Sequence, residues 1–454
     1  MAERIPHIAV IGAGASGTLT AIHLLQKLKQ PAVVYLVEKA ETKLYRGAAY
    51  SSTLFYEPLN VPLAKMSAYA LTPDSFFDWV KQHRNADALK TDFVSRRWYG
   101  DYLTAQLYEA QANVAEGVKF ETVIGEVTDI SKQKERNYEL LLENGETLQA
   151  DFLVFATGNE LPGEIISKEE KELLGKNYVA NSWTVNPFEH LAPNDSVLII
   201  GTGLSMIDLA VSLKKQNHQG KIYALSRNGL LPKPHGNAPV YQLSKDVLSE
   251  DIEQLYQNIL SEIELAKQSN IGWISVLDAL RPQSVNIWKT LSKESKKLFL
   301  QKYRNRWDIH RHRIPASSAV EIEAMIKQGQ FEVLTGSVSK VERTGEAFSV
   351  QYNTASVVLV NYVINCTGPS GDYTKTGNTL LKNLIAKGMM KQDELLIGIE
   401  TGEAGEILKQ GNTPLQNAFA VGPLRKANEW ESIAIAEIRV HAEQTAQAIL
   451  CLMA

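Results

Sequence analysis

The chain has 454 residues, 44% of them hydrophobic, and a formal net charge of −4 from 47 basic and 51 acidic side chains. At roughly 100–200 residues per domain this length suggests about two to four domains, with ample apolar material for a core. The balanced charge, without long like-sign blocks, argues against nucleic acid or a membrane surface as a partner, because either needs a basic patch.

The N-terminus, MAERIPHIAVIGAG, carries a short apolar run that ends in glycines rather than in a cleavage site. It reads as a first strand, His7–Ile11, and not as a leader. No stretch reaches the roughly 18 consecutive apolar residues of a membrane span, so the cytoplasm is the expected location. The loop Gly12-x-Gly14-x-x-Gly17 follows, and a helix over about residues 16–28. A second strand over residues 32–37 ends in Glu38. Strand, glycine loop and helix in this order form a dinucleotide cradle. The glycines allow a tight turn, close backbone approach to a pyrophosphate and close helix–strand packing, and the helix N-terminus attracts the phosphates. A carboxylate at the end of the second strand is placed to bind ribose hydroxyls. The segment from Pro58 to Ser67 holds Pro58, Asn60, Pro62, Lys65 and Met66, and reads as a rigid loop that either shapes a site or is a crossover. Residues 118–130 and 138–142 alternate like strands, Glu143-Asn-Gly145 marks a turn, and the segment closes with DFLVFATG, which includes Thr157 and Gly158.

The second half repeats this order. A strand at Val197–Ile200 runs into Gly201-Thr-Gly203, a helix follows over about residues 204–213, and a strand at residues 222–225 ends in Ser226-Arg227. Residues 331–341 and 348–352 again read as strands, and YVINCTG closes the half as LVFATG closes the first. Such internal similarity points to two related domains. The second loop departs from the pattern at its third glycine, where Met206 stands, and its strand-end carboxylate is replaced by Ser226-Arg227. A carboxylate would repel a 2′-phosphate and a guanidinium fits one, so this loop favours NADPH over NADH. Between Arg227 and the closing strand, residues 241–327 are rich in helix formers and carry Trp273, Trp288 and Trp307, and they read as a helical insertion. Within it, Asp308-Ile-His310-Arg311-His312-Arg313 is the densest cationic run, either an anion-binding element or a surface loop bonded to carboxylates. Beyond Asp308, no cysteine or carboxylate stands in the run to complete a metal site with its histidines. His235, in LPKPHG, either touches a ligand or sits in a proline-fixed turn. A short strand at residues 418–421, Gly422-Pro423 and a helix from Glu431 to about Met453 end the chain. Cys366 and Cys451 are far apart and form no CxxC pair, which excludes a disulfide framework and a dithiol redox centre.

The fold class expected is α/β, with two Rossmann-type dinucleotide-binding domains and a helical insertion in the second. The expected divisions are residues 1–180, residues 181–370 with the insertion at about 241–327, and residues 371–454 returning to the first domain.

The series YRGAAYS, LNVP, KMSA, FVSRRWYGDYL, GTGLSMIDLA, LSRNGLLPKPHG, WDIHRHR, INCTGP and VGPLRKANEWES runs along nearly the whole chain. It resembles the bacterial FAD/NAD(P)-binding protein family that includes an FAD-dependent urate hydroxylase and amino-acid N-hydroxylases, and more distantly the class B flavin monooxygenases. The resemblance implies FAD on the first domain, at Gly12, Gly14, Gly17 and Glu38, with Ala15, Ser16, Lys39, Asn60, Met66, Thr157 and Gly158 as further cofactor-binding candidates. It implies NADPH on the second, at Gly201, Gly203, Leu204, Ser205 and Arg227, and brings Gly422, Pro423, Trp430 and Ser432 toward the flavin. The last helix would then turn its positive N-terminus to the flavin pyrimidine, or else be a capped end over a buried Trp. The FxGxxxHxxxW fingerprint of Baeyer–Villiger enzymes is absent, with Asn181-Ser182-Trp183 in its place.

The function expected is an NADPH-consuming FAD monooxygenase that hydroxylates a small polar, nitrogen-containing substrate with molecular oxygen, through a C4a-hydroperoxyflavin. His235, His310, Arg311 and His312 are the substrate-side candidates, and no catalytic acid, base or nucleophile is identifiable. Two alternatives stand beside it: an NAD(P)H oxidoreductase that passes electrons to a quinone or partner protein, and a non-catalytic flavin or nucleotide sensor.

Overall fold

The computed structural model describes residues 4–51, 54, 56–133, 137–183, 186–244 and 247–453. The chain divides into two compact units. Residues 1–51, 62–160 and 370–454 form the first, and residues 52–61 and 161–369 the second.

The first unit is built on a six-stranded sheet in the order Glu406–Leu408, Pro414–Ala420, Phe152–Phe155, His7–Ile11, Ala32–Glu38, Val118–Ile124. The four strands from Pro414–Ala420 to Ala32–Glu38 are parallel to one another, as is Val118–Ile124 beside them. HIAVI, AVVYLVE and FLVF are runs of β-branched and aromatic residues, almost wholly buried. Unbroken apolar runs are what a parallel strand covered on both faces requires. The Ala15–Lys27 helix connects the first two strands and packs against the terminal helix, Ile435–Met453. Burial from Ser16 to Leu25 nearly all round the Ala15–Lys27 helix follows from that sandwich. An antiparallel meander, Val127–Lys132, Tyr138–Leu142 and Thr147–Ala150, completes the unit, and the Tyr138 hydroxyl donates to the Gln416 carbonyl.

The second unit repeats the plan. Its five-stranded parallel sheet runs Phe331–Thr335, Ile222–Ser226, Val197–Ile200, Tyr362–Asn365, Tyr178–Val179. Its own meander is Val338–Thr344, Ala347–Tyr352 and Ser356–Val360.

Several boundaries differ from the sequence reading. Residues 118–130 are two strands broken at Gly125-Glu126, because the first half pairs in the main sheet and the second in the meander. Residues 331–341 break in the same way between Thr335 and Val338. The first division falls after Glu160 rather than at 180, since Tyr178–Val179 hydrogen-bonds to the second sheet. The helical insertion stops before Ala316–Lys327, which is the crossover helix of the second sheet: Ile322 and Met325 share a core with Met206 and Ile207. The insertion proper runs from Ile252–Gln268 to Arg304–Arg311 and has a small core of its own around Val276 and Leu280. Among the described residues no helix is long and apolar enough to cross a membrane.

Candidate functional site: two dinucleotide edges

In the first unit Ile11 is in register with Val37 on one side and Phe155 on the other, and Phe155 with Ala420. All four strands therefore end along one line. Past that line the Gly12 N–H donates to Val37 O at 2.8 Å, Ala156 N–H to Ile11 O at 2.9 Å, Gly125 N–H to Glu38 O at 2.9 Å and Val421 N–H to Phe155 O at 3.0 Å. The strand order reverses between His7–Ile11 and Phe152–Phe155. Ligands of open α/β sheets bind outside the carboxyl ends at such a point.

The second unit has the same edge. Gly201 N–H donates to Leu225 O at 2.8 Å, Cys366 N–H to Ile200 O at 2.7 Å and Gly336 N–H to Ser226 O at 2.9 Å. Gly12 thus matches Gly201, Glu38 matches Ser226, Lys39 matches Arg227, and Ala156 matches Cys366. The third glycine position holds Met206, which lies in the core with no exposure.

Each helix behind these loops starts without a side-chain cap, at Gly14 for Ala15–Lys27 and at Gly203 for Leu204–Lys215. Their first backbone N–H groups, at Ala15 and Ser16 and at Leu204 and Ser205, are the orphan donors of a helix end, and they suit a diphosphate. At the first edge the Thr157 hydroxyl is buried and has no partner among the described residues, and so has the wholly buried Ser432 hydroxyl. Gly422 lies against Ser16: a Cβ on it would stand 2.4 Å from the Ser16 hydroxyl. These uncapped amides and orphaned hydroxyls fit a dinucleotide. Glu38 is nearly buried, with one carboxylate oxygen accepting from Ala13 N–H at 3.0 Å. Lys39 faces outward, 3.5 Å from Glu126. Met66 is buried after the Leu63–Lys65 turn in the same unit.

Sequence reasoning missed one wall of this loop. The YRGAAYS segment brings Gly47 over Gly14, where a Cβ on Gly47 would stand 2.8 Å from Gly14 Cα. Its signal was the glycine between Arg46 and the pair Ala48-Ala49, which no spacing rule connects to a loop 33 residues earlier (47 − 14).

Two other expectations need correction. The terminal helix begins at Ile435, not at Glu431, because Trp430 takes a positive φ of 57° and turns the chain before the helix starts. Asn60 belongs to the second unit rather than the first, since its carbonyl bonds to His235 Nε2 at 2.9 Å.

At the second edge Thr202 donates to Leu230 O at 2.7 Å and contacts the Ser226 hydroxyl at 2.9 Å, which fixes the turn that carries Arg227. Arg227 is exposed and has no ion pair among the described residues. From there the chain runs to the basic segment, where Lys233 N–H donates to Ile309 O at 2.9 Å and His235 N–H to Ile314 O at 2.9 Å. His235, Asn60 and residues 309–314 are therefore brought together. Within that group His310 Nδ1 lies 2.7 Å from Arg306 O with its ring edge-on to Trp273, and His312 lies 3.8 Å from Asp308. Arg311 is half-buried in the last turn of its helix, and the buried Arg313 pairs with Asp278.

Cys366 lies under the second loop, and burial pushes its thiol up to about 12. The reactive form is the thiolate, so at neutral pH this sulfur is inert. The exposed Cys451 is the accessible one. A thiol reagent is expected to label one cysteine per native chain and two after denaturation, counted by mass spectrometry. Two labels on the native chain would contradict the buried edge.

Comparison with known proteins agrees with this geometry. Residues 9–160 match the model of an FAD-NAD(P)-binding family. Comparison with curated protein sequences found no match. Among solved structures, the chain is similar to the ornithine hydroxylase of Pseudomonas aeruginosa (TM-score 0.67, 16% identity, 99% of this chain and 100% of that one). It is similar to L-lysine 6-monooxygenase from Pseudomonas syringae (TM-score 0.67, 15% identity, 99% and 100%). It is also similar to the FAD-bound cadaverine monooxygenase of Erwinia amylovora (TM-score 0.66, 12% identity, 98% and 95%). The chain therefore carries an FAD-NAD(P)-binding domain over residues 9–160 and has, along nearly its whole length, the fold of these hydroxylases.

Proposed function

We propose that the protein is an FAD-dependent, NADPH-consuming monooxygenase that hydroxylates a small polar substrate at nitrogen. The observation that carries the reading is the pair of equivalent edges with opposite strand-end chemistry. Glu38 at the first suits unphosphorylated ribose, and Ser226-Arg227 at the second suits a 2′-phosphate. FAD would be held by the Gly12–Gly17 loop, Glu38, Thr157, Gly158 and the segment from Gly422 to Ser432. NADPH would be held by Gly201, Gly203, Leu204, Ser205 and Arg227. When bound, reduced FAD supplies the oxygen-activating chemistry and NADPH the electrons.

The same fold serves a thioredoxin reductase from Lactococcus lactis (TM-score 0.52, 12% identity, 99% and 98% covered), so fold alone does not select the reaction. The sulfurs favour the hydroxylase reading over that branch: one cysteine is buried, the other exposed, and they are 85 residues apart (451 − 366). The three hydroxylases named above act on ornithine, lysine and cadaverine, which supports an amine as the group oxidised. His235, His310, Arg311 and His312 are the substrate-side candidates, and a substrate with a carboxylate would match the Arg311 guanidinium.

The test is coupling. With a panel of diamines and basic amino acids, NADPH and oxygen consumption should match hydroxylamine formed, with little hydrogen peroxide. Oxidation of NADPH that every amine leaves unchanged, with all electrons recovered on an added quinone, would replace hydroxylation by plain electron transfer.

A further inference from the structure

The segment between the last strand and the last helix is bent against its own backbone preference. Trp430 sits at φ 57° and ψ −61°. The Glu431 N–H donates to the Glu429 carbonyl at 2.6 Å and closes a three-residue ring with Trp430 at its centre. This is the γ-turn of the rare, strained hand, with the bulkiest side chain at the position where glycine would be at ease. Such strain persists only where the surroundings over-determine it, and it gathers at functional positions.

The surroundings are a buried charge cluster. Glu429 accepts from the Arg425 guanidinium with one carboxylate oxygen, and the other lies 2.5 Å from His441 Nε2. Arg425 is 1% exposed, Glu429 6% and His441 4%. Arg425 also donates to the Glu403 carbonyl at 2.9 Å, and the Lys426 ammonium lies 4.6 Å over the Trp430 ring. Burial alone would raise the Glu429 carboxyl, but His441 and Arg425 together hold it below its ordinary value. Burial, helped by Arg425, keeps His441 below its own, against the opposing pull of the Glu429 carboxylate beside Nε2. With both oxygens fixed, the carboxylate ties the terminal helix to the residue before the strained turn.

Beyond the turn, the Ser432 N–H donates to the Trp430 carbonyl at 3.2 Å, and the Ser432 hydroxyl, wholly buried, has no partner among the described residues. The other end of the segment, Gly422, rests on Ser16 of the first dinucleotide loop. A clamp with a purely structural task would be served by a relaxed turn and a satisfied serine. We infer that Arg425, Glu429 and His441 are positioning residues for the flavin: they hold the Trp430 turn in its strained form and so present Ser432 to bound FAD. This rests on the first unit being the FAD site.

The test compares FAD affinity, by quenching of flavin fluorescence, with the visible spectrum of the bound flavin and the melting temperature of the apo-protein. Glu429→Gln and His441→Leu are expected to raise the dissociation constant of FAD about tenfold, the size of one lost charge-assisted bond, and to shift the long-wavelength flavin band. His441→Gln, whose amide can still donate to Glu429, should recover most of both. Ser432→Ala should show the same loss and shift with the apo-protein melting unchanged, which keeps the question answerable if the charge variants fail to fold. Wild-type affinity and spectrum in Ser432→Ala, or in the charge variants with only their melting lowered, would overturn the inference. A wild-type chain that binds no FAD would instead overturn the reading on which it rests.

Discussion

Gly17→Ala is expected to unfold the first dinucleotide edge, while Gly14→Ala, three residues earlier, is expected to spare the fold and lose the ligand. A Cβ on Gly17 would stand 1.8 Å from the Gly12 carbonyl oxygen, 3.0 Å from the carbonyl carbon and 3.2 Å from Val10 Cγ1. All but the last are backbone atoms of the loop that the sheet hydrogen-bonds in place, so helix and strand must separate. Overpacking of this kind costs about 3 kcal/mol or more. A Cβ on Gly14 meets Gly47 Cα at 3.5 Å, an ordinary contact. Its methyl group would instead fill the space through which a pyrophosphate approaches the backbone. Apo-protein melting should therefore fall steeply in Gly17→Ala and stay within about 0.5 kcal/mol of wild type in Gly14→Ala, whose FAD affinity should drop more than about tenfold. Equal destabilisation by both would mean that Gly14 is a packing residue and not a phosphate contact.

The second large effect is expected at Arg227. Its side chain is exposed at the end of Ile222–Ser226 with no ion pair among the described residues, while Thr202 and Gly229 N–H hold the neighbouring Ser226 hydroxyl at 2.9 and 3.1 Å. The turn is thus fixed, and among the described residues the guanidinium is not committed to an ion pair. Arg227→Ala should weaken NADPH about thirtyfold, from the loss of about 2 kcal/mol of charge-assisted bonding, and leave NADH nearly unchanged. Titration of both cofactors by quenching of protein fluorescence separates the cases. An equal loss for the two would remove the 2′-phosphate role and leave Arg227 as a general anchor.

Much of this was legible in the sequence, for identifiable reasons. Parallel strands buried on both faces write themselves as HIAVI and FLVF, and a backbone passing close behind a strand end leaves a glycine. Both signals recur at Val197–Ile200 and Gly201, so the duplication could be read directly. What stayed hidden depends on long-range pairing. The excursion of residues 52–61 into the second unit has no local mark, because Asn60 is fixed there by His235, 175 residues away. The Ala316–Lys327 helix has the amphipathic pattern of the insertion before it, and only its packing against Met206 and Ile207 assigns it to the sheet. Arg425 and Glu429, four residues apart, have the spacing of a solvated helix pair. Their burial shows only in the folded chain. The turn at Trp430 is the strongest case: local rules place glycine at such a φ, and the reading of Trp430-Glu431-Ser432 as a helix start failed there.

The central claim, FAD on the first edge and NADPH on the second, is most directly tested by anaerobic titration of the FAD-loaded protein with NADPH, followed by flavin absorbance. Complete bleaching of the oxidised flavin by about one equivalent of NADPH, at a lower concentration than NADH requires, is the expected result. A chain that takes up no FAD, or whose bound flavin stays oxidised with NADPH in excess, would contradict the claim.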